Sequence, residues 1–266
     1  MHKSVSFDHK ITASDETSIS ALSSSALYGK GIFTTVSIYD GQAFLWEKHW
    51  RRLTANAEKL DLDLSGFSET NTKQSLLEII QANKCVEGRA RITFVDESQS
   101  SIWPFETTRQ TSLLIMTGEN RRHSDKFRLT ASPHTVNSQS PLAGVKSCNY
   151  LDRILVLDEA RSRGFDETIQ ANERGEVTSA AMANVFWLSD SVLYTPSLRT
   201  GCLAGTTREF VLENIDCREV DVGIEALDDV EAIFLTSAGI GVVQVAEFEA
   251  RRLEKVDHPI LHLLPY

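Results

Sequence analysis

Leu142-Ala143-Gly144-Val145-Lys146-Ser147-Cys148-Asn149-Tyr150 places a lysine after a polar connection and directly before a stretch of helical apolar periodicity. An ammonium in such a semi-enclosed position loses hydration, which lowers its pKa and frees the amine as a nucleophile. Taken alone, the stretch reads better as a solvated lysine at a helix start, and only its surroundings change that reading. After it, the periodicity predicts a helix over 149–163, ended by Gly164 in a left-handed conformation. Before it, residues 118–144 are polar, with Gly118-Glu119-Asn120-Arg121-Arg122 and Ser138-Gln139-Ser140-Pro141, interrupted by a strand over 127–131. That run is the linker candidate and sets a boundary near residue 120, giving domains 1–119 and 120–266.

Upstream, Gly31-Ile32-Phe33-Thr34-Thr35-Val36-Ser37-Ile38-Tyr39 is rich in β-branched and aromatic residues and runs into Asp40-Gly41, a strong hairpin signal. Trp46, Trp50, Leu53, Ala57 and Leu60 then recur at helical steps, with His49, Arg51, Arg52 and Glu58 expected on the other faces. A helix over 73–86 and strands over 89–95 and 112–117 complete the first domain. In the second, strands are expected over 167–172, 176–178, 185–188, 232–236 and 242–248, with a helix over 207–214. Strands and helices mix in both halves, which makes the fold class α/β (α+β).

The chain has 266 residues, which fits roughly two domains at ~150 residues each. Its 27 Lys+Arg against 37 Asp+Glu leave a net charge of −10. A nucleic-acid or anionic-membrane partner needs the opposite balance, so neither is expected. No apolar run has membrane-spanning length, and Met1-His2-Lys3-Ser4-Val5-Ser6-Phe7-Asp8 has no signal-peptide core. Cys85, Cys148, Cys202 and Cys217 are far apart, without metal-ligand spacing. They read as ordinary thiols of a cytoplasmic protein, and no metal is expected.

Two further stretches suit a phosphate. Leu203-Ala204-Gly205-Thr206-Thr207-Arg208-Glu209 combines a capping-box spacing, Thr206 to Glu209, with the glycine and hydroxyls of an anion-binding helix start. Thr236-Ser237-Ala238-Gly239-Ile240-Gly241 follows a strand and lets backbone approach closely; the two loops with Arg52 would suit one phosphate ester. Asn172-Glu173-Arg174-Gly175-Glu176-Val177-Thr178-Ser179 reads as a turn and strand feeding small residues into a site.

Taken in order, Tyr28-Gly29-x-Gly31-x-Phe33, His49-x-x-Arg52-Leu53, Lys146-x-x-Asn149-Tyr150-Leu151, Asn172-x-x-Gly175-x-Val177, Asn184-Val185-Phe186, Thr195-Pro196 and Gly205-x-Thr207-Arg208 resemble the fold-type IV pyridoxal-phosphate enzymes, the class IV aminotransferase family. The resemblance covers roughly residues 20 to 245. It implies a small N-terminal α/β domain, a larger C-terminal domain carrying the lysine, pyridoxal 5'-phosphate at their interface, and a homodimer acting on a small amino substrate. Lys146 falls on the Schiff-base lysine and Arg52 on a phosphate-binding arginine. Thr206, Thr207, Thr236 and Ser237 fall on the phosphate loops, and Tyr150 on an active-site phenol. Tyr28, Thr34 and Arg91 are expected at the substrate; Arg89 and Arg208 are further arginines available to a substrate carboxylate.

One position departs from the family. The glutamate that pairs with the protonated pyridine nitrogen is replaced here by Ser179, and side-chain alternation turns Glu176 to the opposite face. Glu173 lies roughly 20 Å away along an extended strand. A neutral hydroxyl stabilises a pyridinium less than a carboxylate does, so the cofactor is expected to be a weaker electron sink. That handicaps transamination more than an elimination. Gly31-Ile32-Phe33-Thr34-Thr35 and Asn184-Val185-Phe186-Trp187 are also similar to the lyase members. The expected activity is that of a 4-amino-4-deoxychorismate lyase, releasing 4-aminobenzoate and pyruvate. The alternatives are an aminotransferase for branched-chain, aromatic or D-amino acids, and a cofactor-binding protein with degraded catalysis.

Overall fold

The computed structural model describes residues 1–99, 110–120 and 126–265. The chain divides into two compact units, Met1–Asn120 with Val145–Tyr150, and Arg121–Gly144 with Leu151–Tyr266. Arg121 and Arg122 of the polar connection lie outside the described residues. The lysine was expected inside a continuous second domain; its segment instead joins the first unit. The cause is backbone pairing: Phe33 N–H donates to the Lys146 carbonyl (2.9 Å) and Cys148 N–H to the Gly31 carbonyl (2.8 Å). A Cβ at Gly31 would sit 2.8 Å from the Phe94 carbonyl oxygen, so a glycine is required for this close approach.

The first unit carries β1 (Ser4–Phe7), β2 (Lys10–Ala13), α1 (Ser24–Tyr28), β3 (Gly31–Tyr39), β4 (Gln42–Ala43), α2 (Trp46–Lys59), α3 (Glu69–Ala82), β5 (Gly88–Asp96) and β6 (Thr111–Gly118). Its six strands form an antiparallel sheet in the order β2-β1-β6-β5-β3-β4. Asp40 and Gly41 have φ of 48° and 69°, the left-handed pair of a two-residue hairpin turn. Along β3, Ile32, Val36 and Ile38 enter one core with Trp46, Leu53 and Ala57 of α2 and Leu76, Ile79 and Ile80 of α3. Alternation puts Phe33, Thr35 and Ser37 on the other face of β3. His49, expected away from the core stripe of α2, is 1% exposed. The helix expected over 73–86 starts earlier, because Ser68 caps it by accepting from Asn71 N–H.

The second unit contains β7 (Arg128–Ala131), α4 (Leu151–Ser162), β8 (Glu167–Ala171), β9 (Val177–Ala180), β10 (Asn184–Ser189), β11 (Val192–Pro196), α5 (Thr206–Asn214), β12 (Cys217–Val220), β13 (Ala232–Ser237), β14 (Gly241–Gln244), β15 (Glu247–Phe248) and β16 (Arg251–Arg252). One sheet has the order β12-β11-β10-β13-β14 and the other β16-β15-β7-β8-β9. The single strand expected over 242–248 is two strands in different sheets. Between them Val245 N–H donates to the Ile233 carbonyl and Ala246 N–H to the Phe127 carbonyl, handing the chain from one sheet to the other. Gly164 closes α4 with φ 87°.

Candidate active site

In the first unit, Lys146 is half-buried on the face of β3 that carries Phe33. Its Nζ lies 4.5 Å from the Phe33 ring centroid and 4.9 Å from that of Tyr150, and donates to the Tyr150 phenol oxygen at 3.3 Å. Tyr150 meets Phe33 edge-on at 5.1 Å. Arg91 lies 3.5 Å above the same Phe33 ring, and its Nε donates to Thr93 Oγ1 at 3.2 Å. Burial pushes the neighbouring Cys148 thiol up, with Arg91 pulling partly the other way.

Thr34 differs from its expected substrate role. It is fully buried, and its hydroxyl accepts from Arg52 Nη2 (2.7 Å) and bonds His49 Nδ1 (2.7 Å). The guanidinium can only donate, which leaves the Thr34 proton for the imidazole. Burial, then the charges of Arg52 and Lys146, hold the His49 pKa well below its usual value, so the ring is neutral. Thr34 thus positions Arg52 and His49. Tyr28 ends α1 and is 47% exposed. Arg89 is half-buried on β5.

In the second unit, helix α5 starts one residue earlier than its capping box required. Gly205, which has no side chain to offer, is the N-cap, so Thr206 is the first helical residue and not the cap. The first-turn N–H groups of a helix have no intrahelical carbonyl partner, and the dipole adds positive potential there. Thr206 and Thr207 are both buried. Asn184 ties this turn to the sheet: its Nδ2 donates to the Leu203 carbonyl at 2.8 Å, and its Oδ1 lies so close to Gly205 that a Cβ there would collide. On the adjacent strand Asn184 pairs with Thr236. Thr236 is fully buried, and its Oγ1 has no hydrogen-bond partner among the described residues. Ser237 accepts from Gly239 N–H at 3.3 Å in the turn that follows. An orphan hydroxyl donor beside a helix start fits a phosphate ester, whose oxygens are acceptors. Arg208 is not available to a substrate carboxylate, being bonded to the Pro196 carbonyl and to Glu219.

Ser179 is 3% exposed on β9. Its oxygen accepts from Arg153 Nη1 at 3.2 Å, and the same nitrogen donates to Gln170 Oε1 at 2.7 Å. The alternation assumed through 176–179 is interrupted, since Ala171 pairs with Val177 while Gln170 pairs with Ser179. Glu176 stays away regardless, held by Arg174 and Asn172. Glu173 is bonded to Ser138 and Arg174. Arg153 and Gln170 were not anticipated, and nothing in their local sequence marks them.

Each unit taken by itself, the first carries a half-buried lysine amine and the second a pair of loops suited to a phosphate. Residues 31–248 match the amino-transferase class IV family, and the chain belongs to that family. The family's cofactor is pyridoxal 5'-phosphate. The chain is similar to the aminodeoxychorismate lyase of Bacillus subtilis, 25% identical over 232 residues, 84% of this chain and 79% of that one. In structure it is similar to a branched-chain aminotransferase from Thermoproteus uzoniensis, with a TM-score of 0.90 at 24% identity, over 99% of this chain and 92% of that one. It is also similar to a 4-amino-4-deoxychorismate lyase from Pseudomonas aeruginosa, with a TM-score of 0.82 at 22% identity, over 97% and 96%. Lyases and aminotransferases share this fold, so the site must separate them.

Proposed function

We propose that the protein is a 4-amino-4-deoxychorismate lyase, converting that amine to 4-aminobenzoate and pyruvate. The observation that carries this reading is Ser179, bonded by a guanidinium where this family usually carries a glutamate, a change that handicaps transamination more than an elimination. Pyridoxal phosphate supplies an aldehyde that condenses with amines and a ring that draws electrons from the carbon beside them. A ring with weakened pull suits a reaction whose leaving group departs as negative charge develops, and poorly suits one that must store that charge.

Lys146 is the proposed lysine for the aldehyde. With the cofactor bound, Lys146 Nζ would be the base for the proton on the substrate's amine-bearing carbon and would return a proton as pyruvate leaves. Tyr150 orients that nitrogen through the 3.3 Å hydrogen bond. Thr206, Thr207, Thr236 and Ser237 are proposed to hold phosphate, as is Arg52 in its own unit, kept in place by Thr34. Tyr28 and Arg91 are the proposed substrate contacts, Arg91 as the cation for a carboxylate. The proposed assembly is a homodimer, supported by the exposed apolar row Leu151, Ile154 and Leu155 on α4. A cytoplasmic location is supported by four free cysteines, two of them buried. No helix of the described residues is long and apolar enough to cross a membrane.

The test is direct. Chorismate, glutamine and an amidotransferase are supplied with the purified, cofactor-treated protein, and 4-aminobenzoate is measured. Product above the protein-free control supports the lyase. No product, together with conversion of the cofactor to its amine form by an amino donor, supports an aminotransferase instead.

A further inference from the structure

We propose that Arg153 and Ser179 act as a positioning pair that keeps the ring nitrogen of the bound cofactor unprotonated. The proposal rests on the preceding reading, in which pyridoxal phosphate lies with that nitrogen at Ser179. A guanidinium is charged at all working pH values and can only donate. Since Ser179 Oγ accepts from Arg153 Nη1, the serine's own hydrogen is directed elsewhere and needs an acceptor. A bare pyridine nitrogen is an acceptor; a pyridinium is a donor, and would meet a second donor system carrying a positive charge. The arginine is fixed by its shorter bond to Gln170 Oε1, and Gln170 is buried and paired directly with Ser179 across β8 and β9.

The carboxyls of these two strands and their turn are engaged elsewhere. Glu167 accepts the backbone N–H groups of Thr168, Ala181 and Met182. Glu176 is taken by Arg174 and Asn172, and Glu173 by Ser138 and Arg174. None of them bonds Ser179 or Arg153. No acid of these two strands or their turn therefore replaces the missing glutamate, and the group bonded to Ser179 carries the opposite charge. A simple Ser179→Glu change would place its carboxylate against Arg153 and be neutralised there, so restoring a pyridinium requires Arg153→Gln as well.

The experiment binds pyridoxal phosphate labelled with nitrogen-15 in its ring to the full-length protein and records the nitrogen chemical shift at fixed neutral pH. In parallel, borohydride reduction and peptide mass analysis report whether the label is attached to Lys146. The expected result is a labelled Lys146 with a pyridine-type shift in the wild type, and a pyridinium-type shift in the Ser179→Glu/Arg153→Gln variant. A labelled Lys146 with a pyridinium-type shift in the wild type overturns this inference and leaves the cofactor assignment standing. An unlabelled lysine overturns both. The wild-type measurement decides the matter even if the double variant does not fold.

Discussion

Lys146 Nζ and the phenol oxygen of Tyr150 are 3.3 Å apart, four residues from one another in a segment pinned to β3 by backbone hydrogen bonds. The phenol fixes where the amine points, while Phe33 supplies an apolar wall beside it. Tyr150→Phe keeps the edge-on ring contact and removes only the oxygen. Loss of this orientation should lower kcat about ten- to a hundredfold with KM changed less than about threefold. Steady-state kinetics of 4-aminobenzoate formation checks it, and an unchanged kcat would show that the phenol does not direct the amine.

Thr236 offers a cleaner separation of folding from binding. Its hydroxyl is fully buried without a partner among the described residues, so Thr236→Val breaks no hydrogen bond among them. Stability should hold or rise by up to ~1 kcal/mol, since an unsatisfied buried group is removed. Affinity for pyridoxal phosphate should fall about tenfold, the worth of one hydrogen bond to a charged group, ~1.5 kcal/mol. Thermal melting without cofactor and equilibrium titration with it measure the two effects. A lower melting temperature with unchanged affinity would remove Thr236 from the phosphate site.

What could be read in advance divides along physical lines. The Asp40-Gly41 turn and the α2 stripe were legible because each is written in adjacent or helically spaced residues. The candidate site runs around Lys146, Gly205 and Thr236 were picked out for the same reason, as short local patterns. Arg153 was not: it reaches Ser179 from twenty-six residues away, and only the packing of α4 on β8 makes that pair. The apolar run at 242–248 concealed a change of sheet, because alternation records which residues are buried and not which strand covers them. His49 was misplaced because its burial depends on Thr34, a partner on another element.

Glu167 carries a pH prediction. Burial pushes its carboxyl from 4.5 up to about 7, against three backbone N–H donors that pull it down. Between those two pH values the folded protein holds a proton that the unfolded chain gives up. Stability from this group is therefore complete below pH ~4.5 and is lost as pH rises through ~7, by up to ~3 kcal/mol. Buried neutral His49 contributes a slope of the opposite sign, present in wild type and variant alike, so the difference between them isolates the carboxyl. Subtracting the unfolding free energy of Glu167→Gln from that of the wild type should give a value that declines from pH 5 to pH 8. Denaturant titrations across that range measure it, and a flat or rising difference would place the Glu167 carboxyl in its ordinary range.

Thr34 closes the chain from core to chemistry. One hydroxyl on the buried face of β3 serves both Arg52 Nη2 and His49 Nδ1, each at 2.7 Å. Thr34→Val fills the same space but withdraws both bonds and leaves a buried imidazole nitrogen without this donor. The expected cost is about 1–3 kcal/mol in stability, as for other buried groups deprived of a partner. Because one of the bonds that position Arg52 is then lost, affinity for pyridoxal phosphate should also drop, by about tenfold. Thr34→Ser retains the hydroxyl, losing only a methyl, and should recover the affinity while leaving a smaller stability deficit of ~1 kcal/mol. Melting curves and cofactor titrations on both variants test this. Equal affinity in valine and serine variants would mean that Arg52 is held by its own packing and not by the threonine.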